Sequence, residues 1–101
     1  MGGVDRSARL PAFSTRLLIV ERFPCPCCGY LTLSHPANGS FDLCPVCCWE
    51  DDPVQLDDPS YRGGANTPSL DEARRNFLAV GAMERRFLQY VRPPRPEEKP
   101  N

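Results

Sequence analysis

Apolar residues recur every three to four positions in the C-terminal third of the chain, a spacing that predicts an amphipathic helix. Ser69 is a typical N-cap residue, and Glu72 three positions later completes a capping box. Gly81 suits the C-terminal cap. The apolar face of this helix consists of Leu70, Ala73, Phe77 and Val80. A second amphipathic stretch predicts another helix over Ala82–Val91.

Shorter apolar segments predict strands in the first half of the chain. Tyr30–Leu33 and Ser40–Leu43 flank a link that contains Asn38-Gly39, a strong turn signal. The two segments are therefore predicted to pair as an antiparallel hairpin. Arg16–Phe23 is rich in apolar residues and predicts a possible edge strand. The acidic segment Trp49–Asn66 is interrupted by proline and glycine, which predicts a loop.

The two ends of the chain lack periodicity. Residues 1–22 are predicted to form a flexible arm, and residues 92–101, with four prolines, a disordered proline-rich tail. Residues 23–91 then form the folded domain. A domain below roughly 70–80 residues seldom builds a sufficient core alone and usually needs a metal, disulfides or a partner.

The cysteines are the candidate for that additional support, and the cellular compartment decides how they are used. The longest apolar run, Leu17–Val20, is too short for a secretory signal or for a membrane span. The sequence therefore predicts a cytoplasmic protein without membrane association. Thiols stay reduced there, and clustered cysteines more often bind a metal than form disulfides.

Two similar cysteine units predict a metal centre with four thiolate ligands. Each unit places two residues between paired cysteines, and fifteen residues separate the units, which is typical of four-cysteine zinc sites. Pro26 and Pro45 pre-set the turn, and Gly29 supplies the positive φ that favours Cys28 over Cys27 as a ligand. The predicted ligands of a structural zinc are Cys25, Cys28, Cys44 and Cys47.

The same residues are compatible with other uses. Iron fits the same four-sulfur geometry, and a redox centre or a disulfide framework are alternatives. Cys27 and Cys48 are surplus, either as packing groups or as redox-responsive thiols. His35 is predicted to be an exposed turn residue. The acidic residues Glu50, Asp51 and Asp52 are predicted to form a solvated charged loop.

The same motifs carry a family resemblance. Cys25-Pro26-Cys27-Cys28-Gly29-Tyr30, and Cys44-Pro45-Val46-Cys47 followed by Trp49-Glu50-Asp51-Asp52, resemble the cysteine-rich CPCC family of small bacterial proteins. The likeness continues through Gly63-Gly64-Ala65-Asn66 and covers about Phe23 to Pro96. It implies a compact zinc module and no particular reaction. Family sequences usually carry another residue type at the position of Cys48, which implies that Cys48 is not an essential ligand.

The predicted fold class is a small α+β protein: a zinc-ribbon-like hairpin with two metal knuckles, followed by two C-terminal helices. Its charges are segregated, because residues 23–61 contain six acidic residues and neither lysine nor arginine. Such a surface repels phosphate and disfavours nucleic acid.

Three functions follow as hypotheses. The leading one is a binding module for a protein partner, with no catalytic residues. The first alternative is nucleic-acid binding through the basic N-terminal arm and an arginine-rich face, which consists of Arg74, Arg75, Arg85 and Arg86. The second is a thiol-based redox or enzymatic protein that uses Cys27 or Cys48 as a nucleophile, His35 as a base, or the acidic loop as an acid–base pair.

Overall fold

The computed structural model describes residues 21–100. The arm predicted for residues 1–22 lies almost entirely outside this range, as does most of the predicted edge strand. The described elements are β1 (Phe23–Pro24), β2 (Leu31–Leu33), α1 (Pro53–Asp57), α2 (Leu70–Val80) and two 3₁₀ helices, Arg85–Tyr90 and Pro96–Glu98.

Each cysteine unit has its own short antiparallel pairing. β1 pairs with β2 around the first unit, with Phe23 opposite Leu33 and an irregularity in register before Pro24. An isolated bridge between Leu43 and Glu50 encloses the second unit in the same way. The predicted hairpin is therefore wrong in its pairing, since β2 pairs with the segment before the first unit and not with residues 40–43.

The buried carboxylate of Asp51 explains why the predicted pairing does not form. Its Oδ2 accepts hydrogen bonds from the backbone N–H groups of Asn38, Gly39 and Ser40, at 3.0–3.1 Å. These donors are thus unavailable to a strand ladder. Phe41 then takes a positive φ of 59°, which turns the chain away from an extended path.

Helix α1 lies within the segment that was predicted to be a loop. Asp52 is its N-cap and accepts hydrogen bonds from the N–H groups of Val54 (2.8 Å) and Gln55 (3.4 Å). Pro53 occupies the first turn, where its missing N–H is no loss. Asp52-Pro53 is therefore a helix-start signal that the acidic, proline-interrupted composition obscured.

Helix α2 confirms the predicted capping box and its C-terminal glycine. Ser69 Oγ accepts from the N–H of Glu72, Glu72 accepts from the N–H of Ser69, and Gly81 has φ 92°. The predicted second helix is instead the shorter 3₁₀ helix Arg85–Tyr90. Its start is delayed because the Met83 backbone is used elsewhere, donating to the carbonyl of Cys47 and accepting from Asn76.

The core is built around the cysteines rather than beside them. Trp49 and Leu33 are fully buried, and the other apolar members of the cluster include Val46, Leu70, Ala73 and Met83. The sulfur atoms thus lie at the centre of the apolar packing, which is the arrangement expected of a small domain with little other core.

The C-terminal segment differs from the predicted solvated tail. The Arg92 N–H donates to the carbonyl of Pro45, and the Arg92 guanidinium forms two hydrogen bonds, 2.9 and 2.8 Å, with the carboxylate of Glu98. Glu98 is only 5% exposed, and the 3₁₀ helix Pro96–Glu98 contacts β2. Prolines restrict this segment without preventing it from packing.

Candidate metal centre

Four cysteine sulfurs come together between the two cysteine units. The Sγ atoms of Cys25, Cys28, Cys44 and Cys47 all lie within 4.8 Å of one another. Cys25 Sγ is 3.6 Å from Cys47 Sγ, and Cys28 Sγ is 3.7 Å from Cys44 Sγ. These are the four residues that the spacing singled out as ligands, and the structure brings all of them to one point.

Two equivalent turns position the sulfurs. The N–H of Gly29 donates to the carbonyl of Cys25, and the N–H of Cys48 donates to the carbonyl of Cys44, both at 2.8 Å. Each turn places its two cysteine side chains on one side of the backbone. The two turns face each other, so that each contributes two sulfurs to the cluster.

The distances fit a four-coordinate metal better than they fit disulfides. A disulfide needs about 2.05 Å between sulfurs, and all six cysteines are free. Four sulfurs at about 2.3 Å from a tetrahedral zinc lie about 3.8 Å apart. The observed 3.6 and 3.7 Å agree with that geometry. The four residues present can therefore hold a metal ion.

Nearby donors favour negative charge on the sulfurs. Thr32 Oγ1 donates to Cys44 Sγ at 3.0 Å, and the N–H of Trp49 points to Cys47 Sγ at 3.4 Å. The pKa of Cys44 lies below the usual thiol range, because interactions first with the Cys25 thiol, then with those of Cys28 and Cys47, favour its ionised form. The pKa of Cys25 is raised instead, foremost by its hydrogen bond with Cys28. The Thr32 hydroxyl thus supports a thiolate at Cys44.

The two surplus cysteines are buried next to the cluster. Cys27 is 7% exposed and Cys48 is 6% exposed. Cys48 also has a positive φ of 71°, the conformation that glycine adopts at the corresponding position of the first unit. Burial raises the pKa of the Cys48 thiol. Both residues are members of the buried core cluster.

The acidic segment is not the solvated loop that was predicted. Asp51 is fully buried and Asp52 is 6% exposed. Asp51 Oδ2 holds the loop at residues 38–40, and Asp52 caps α1 and also accepts from the N–H of Ala65 at 2.7 Å. These carboxylates therefore organise the backbone around the second cysteine unit.

Gln55 and Asn66 extend this buried polar network. Asn66 is part of the motif that carries the family resemblance, but no sequence pattern indicated a structural role for either residue. Gln55 Nε2 donates to the carbonyls of Tyr61, Asn66 and Pro68. Asn66 in turn accepts from the N–H of Glu50 and donates to the carbonyl of Glu50. The burial of the Gln55 amide depends on the position of the loop at residues 61–68, which the sequence pattern does not predict.

The remaining candidates of the enzymatic alternative are not brought together. His35 is an exposed turn residue, as predicted, and its side chain is 69% exposed beside Asp42, with Nδ1 3.4 Å from Oδ2. Cys27 and Cys48 lie in the buried cluster. Within residues 21–100, neither thiol has a hydrogen-bonded histidine, which a thiol nucleophile normally needs.

Together these features define a class: a small cysteine-rich protein in which two turns bring four thiols to a site that can hold a metal. The sequence profile of the cysteine-rich CPCC family matches residues 23–98. The chain belongs to the cysteine-rich CPCC family. No curated protein is significantly similar to it. The helices within residues 21–100 are all too short or too polar to cross a bilayer.

Proposed function

We propose that this protein is a cytoplasmic bacterial binding module, built on one structural zinc ion at Cys25, Cys28, Cys44 and Cys47, that recognises a protein partner. The observation that carries the proposal is the closed set of four sulfurs within 4.8 Å of one another at the centre of the core. A zinc ion with four protein ligands has no open position for water or substrate. The ion then stabilises the fold, and function belongs to the surface.

The surface charges support a protein partner over nucleic acid. Two arginines of the proposed nucleic-acid face already have internal partners, since Arg74 donates to the Pro26 carbonyl and Arg86 to Glu84. The segment from residue 23 to residue 61 bears no lysine or arginine, and four of its six acidic residues are at least partly exposed. Four thiolates around a divalent ion add net negative charge beside it. Phosphate backbones are repelled by such a surface, whereas basic protein surfaces are attracted.

The zinc site is tested by native mass spectrometry of the protein purified under reducing conditions. We expect one zinc per chain and its loss in Cys25→Ser, Cys28→Ser, Cys44→Ser and Cys47→Ser. The matched controls Cys27→Ser and Cys48→Ser should retain it. Iron in place of zinc would show in the metal analysis and in the visible spectrum. Loss of metal in Cys27→Ser but not in Cys28→Ser would contradict the ligand assignment.

The interaction role is tested by affinity purification with the zinc-loaded protein, followed by direct binding measurements with each purified candidate. We expect at least one protein to bind stoichiometrically, and a low-salt titration with labelled DNA or RNA to show no binding at micromolar protein. Tight binding of nucleic acid, together with no direct protein partner, would contradict the proposal and favour the arginine-rich face.

A further inference from the structure

A cavity of about 480 Å³ opens between the second cysteine unit and the 3₁₀ helix Arg85–Tyr90. Its volume is within the range typical of ligand pockets. The large apolar side chains of its wall are Leu43, Met83, Phe87 and Tyr90. Leu43 and Tyr90 are 61% and 67% exposed, so the apolar wall continues onto the outer surface. Exposed side chains of this size around a concavity are typical of binding sites.

Two charged side chains, Glu50 and Arg86, stand in the cavity wall, and only Glu50 lacks an oppositely charged partner among residues 21–100. Glu50 forms part of the wall, and its carboxylate accepts no hydrogen bond from any residue in the range 21–100. Cys44, one of the four clustered cysteines, lines the same cavity. The positive charge of Arg86 is matched by Glu84, to which its Nε donates at 2.9 Å, and its guanidinium lies over the Phe87 ring. The unmatched charge of the wall is therefore negative.

We propose that this cavity binds a lysine or arginine side chain from a basic segment of the protein partner. The long aliphatic stem of such a side chain lies along the apolar wall, and its cationic head reaches the Glu50 carboxylate. The inference rests on the proposed interaction role and names the surface and the partner chemistry. The absence of basic residues from position 23 to position 61 makes the approach of a basic segment favourable.

The test uses blocked pentapeptides, acetyl-Gly-Leu-X-Leu-Gly-amide, in which X is arginine, lysine, glutamine or glutamate. Each is titrated into the zinc-loaded, isotope-labelled protein, and amide chemical shifts are followed by NMR. We expect saturable shifts with the arginine and lysine peptides, concentrated at Leu43, Glu50, Phe87 and Tyr90. The glutamine peptide should bind at least about tenfold more weakly, because it keeps the stem but lacks the charge.

Two matched pairs of variants locate the site. Glu50→Gln should weaken binding of the arginine peptide about tenfold, whereas Glu97→Gln, an equal change of net charge at an exposed residue outside the cavity, should leave it unchanged. Leu43→Ala should weaken it about threefold, and Leu78→Ala, at a residue 85% exposed on α2, should not. Retention of zinc by each variant shows that the fold persists.

The possible negative results distinguish the inference about the cavity from the proposed function. Equal binding by the wild type and Glu50→Gln, shifts away from the cavity, or no saturation by either cationic peptide would overturn the inference. Agmatine binding as tightly as the peptides would also overturn it, because the occupant would then be a small amine. If purified partners bind while Glu50→Gln has no effect, the inference fails and the proposed function stands. If no protein binds directly and no zinc is present, the proposed function itself fails.

Discussion

The two cysteine units use the same turn in different surroundings. In both, the first cysteine's N–H donates to a carbonyl five residues later: Cys25 to Tyr30, and Cys44 to Trp49, each at 2.9 Å. In both, the turn ends in a residue with positive φ, Gly29 at 81° and Cys48 at 71°. The five-residue pattern therefore determines the turn, whatever surrounds it.

The units differ in how much of the chain covers them. Gly29 is exposed, with no atom within 4 Å of the position that a Cβ would occupy. Cys48 and Trp49 are buried, and the chain beyond α2 closes over the second unit, with Met83 donating to the Cys47 carbonyl and Arg92 to the Pro45 carbonyl. A side chain at the strained position is tolerated where it can be buried, and glycine occupies that position where it cannot.

Metal removal should have the largest effect on stability and should unfold both cysteine units together. Structural zinc sites of this kind contribute about 10–16 kcal/mol at neutral pH, comparable to the whole stability of a small domain. We expect Cys28→Ser and Cys47→Ser, which change equivalent ligands of the two units, to lose amide dispersion in NMR spectra equally, as should chelation of the wild type. Full dispersion in the metal-free, reduced protein would show that the core suffices alone.

The second-largest effect is expected at Asp51, and it is compared with Thr32. The two residues are equivalent, since each follows the first cysteine of its unit by seven positions. Asp51→Ala should destabilise the protein by about 3 kcal/mol, because it leaves the donors of residues 38–40 without their charged acceptor. Thr32→Val should lose only about 1 kcal/mol, since it removes a single hydrogen bond to Cys44 Sγ. Thermal or denaturant unfolding of the zinc-loaded proteins measures both.

Asp51→Asn separates the contribution of the negative charge from that of the hydrogen bonds. It keeps one oxygen as an acceptor and removes the negative charge, so its loss of stability should be intermediate. If Asp51→Ala were no worse than Thr32→Val, the loop at residues 38–40 would not depend on the carboxylate.

Substitutions at the positive-φ position of each turn, Gly29 and Cys48, should change the stability by smaller amounts that differ between the two units. Gly29→Ala should cost about 1–2 kcal/mol, all of it backbone strain, because the added Cβ meets no neighbour. Cys48→Gly relieves the same strain but loses a buried thiol and adds freedom to the unfolded chain, so its net effect should stay within about 1 kcal/mol. Gly29→Asn, a residue that tolerates positive φ, should lose less than Gly29→Ala. Equal losses at Gly29 and Cys48 would contradict the comparison.

Local patterns in the sequence predicted the parts of the fold that depend on few residues. The cysteine spacing identified the four sulfurs that come together, and Ser69 and Glu72 identified the start of α2. Both signals act within a few positions of the chain, so no knowledge of the tertiary structure was needed.

The parts that were mispredicted depend on contacts between distant segments. The pairing partner of β2 is decided by the Asp51 carboxylate, which binds residues 11–13 positions earlier and removes them from a ladder. Composition made Asp51 and Asp52 look solvated, although both are buried. The place of Glu98 likewise depends on Arg92, and a proline-rich composition gives no sign of that ion pair.

The smallest predicted effect concerns the C-terminal segment, which contacts Pro45 in the second unit and strand β2 beside the first. The hydrogen bonds of Arg92 lower the pKa of Glu98 from 4.5 to about 2. The ion pair therefore stabilises the fold above pH 4.5, and this contribution is lost as pH falls towards 2.

Glu98→Gln should lower the free energy of unfolding by about 1 kcal/mol near pH 7, and its difference from the wild type should shrink between pH 4.5 and 2. Acid also releases metal from thiolates, but that loss is common to both proteins and cancels in the difference. Glu97→Gln, its exposed neighbour, should show neither effect. A difference between Glu98→Gln and the wild type that did not change with pH would mean that Glu98 acts by packing and not by its charge.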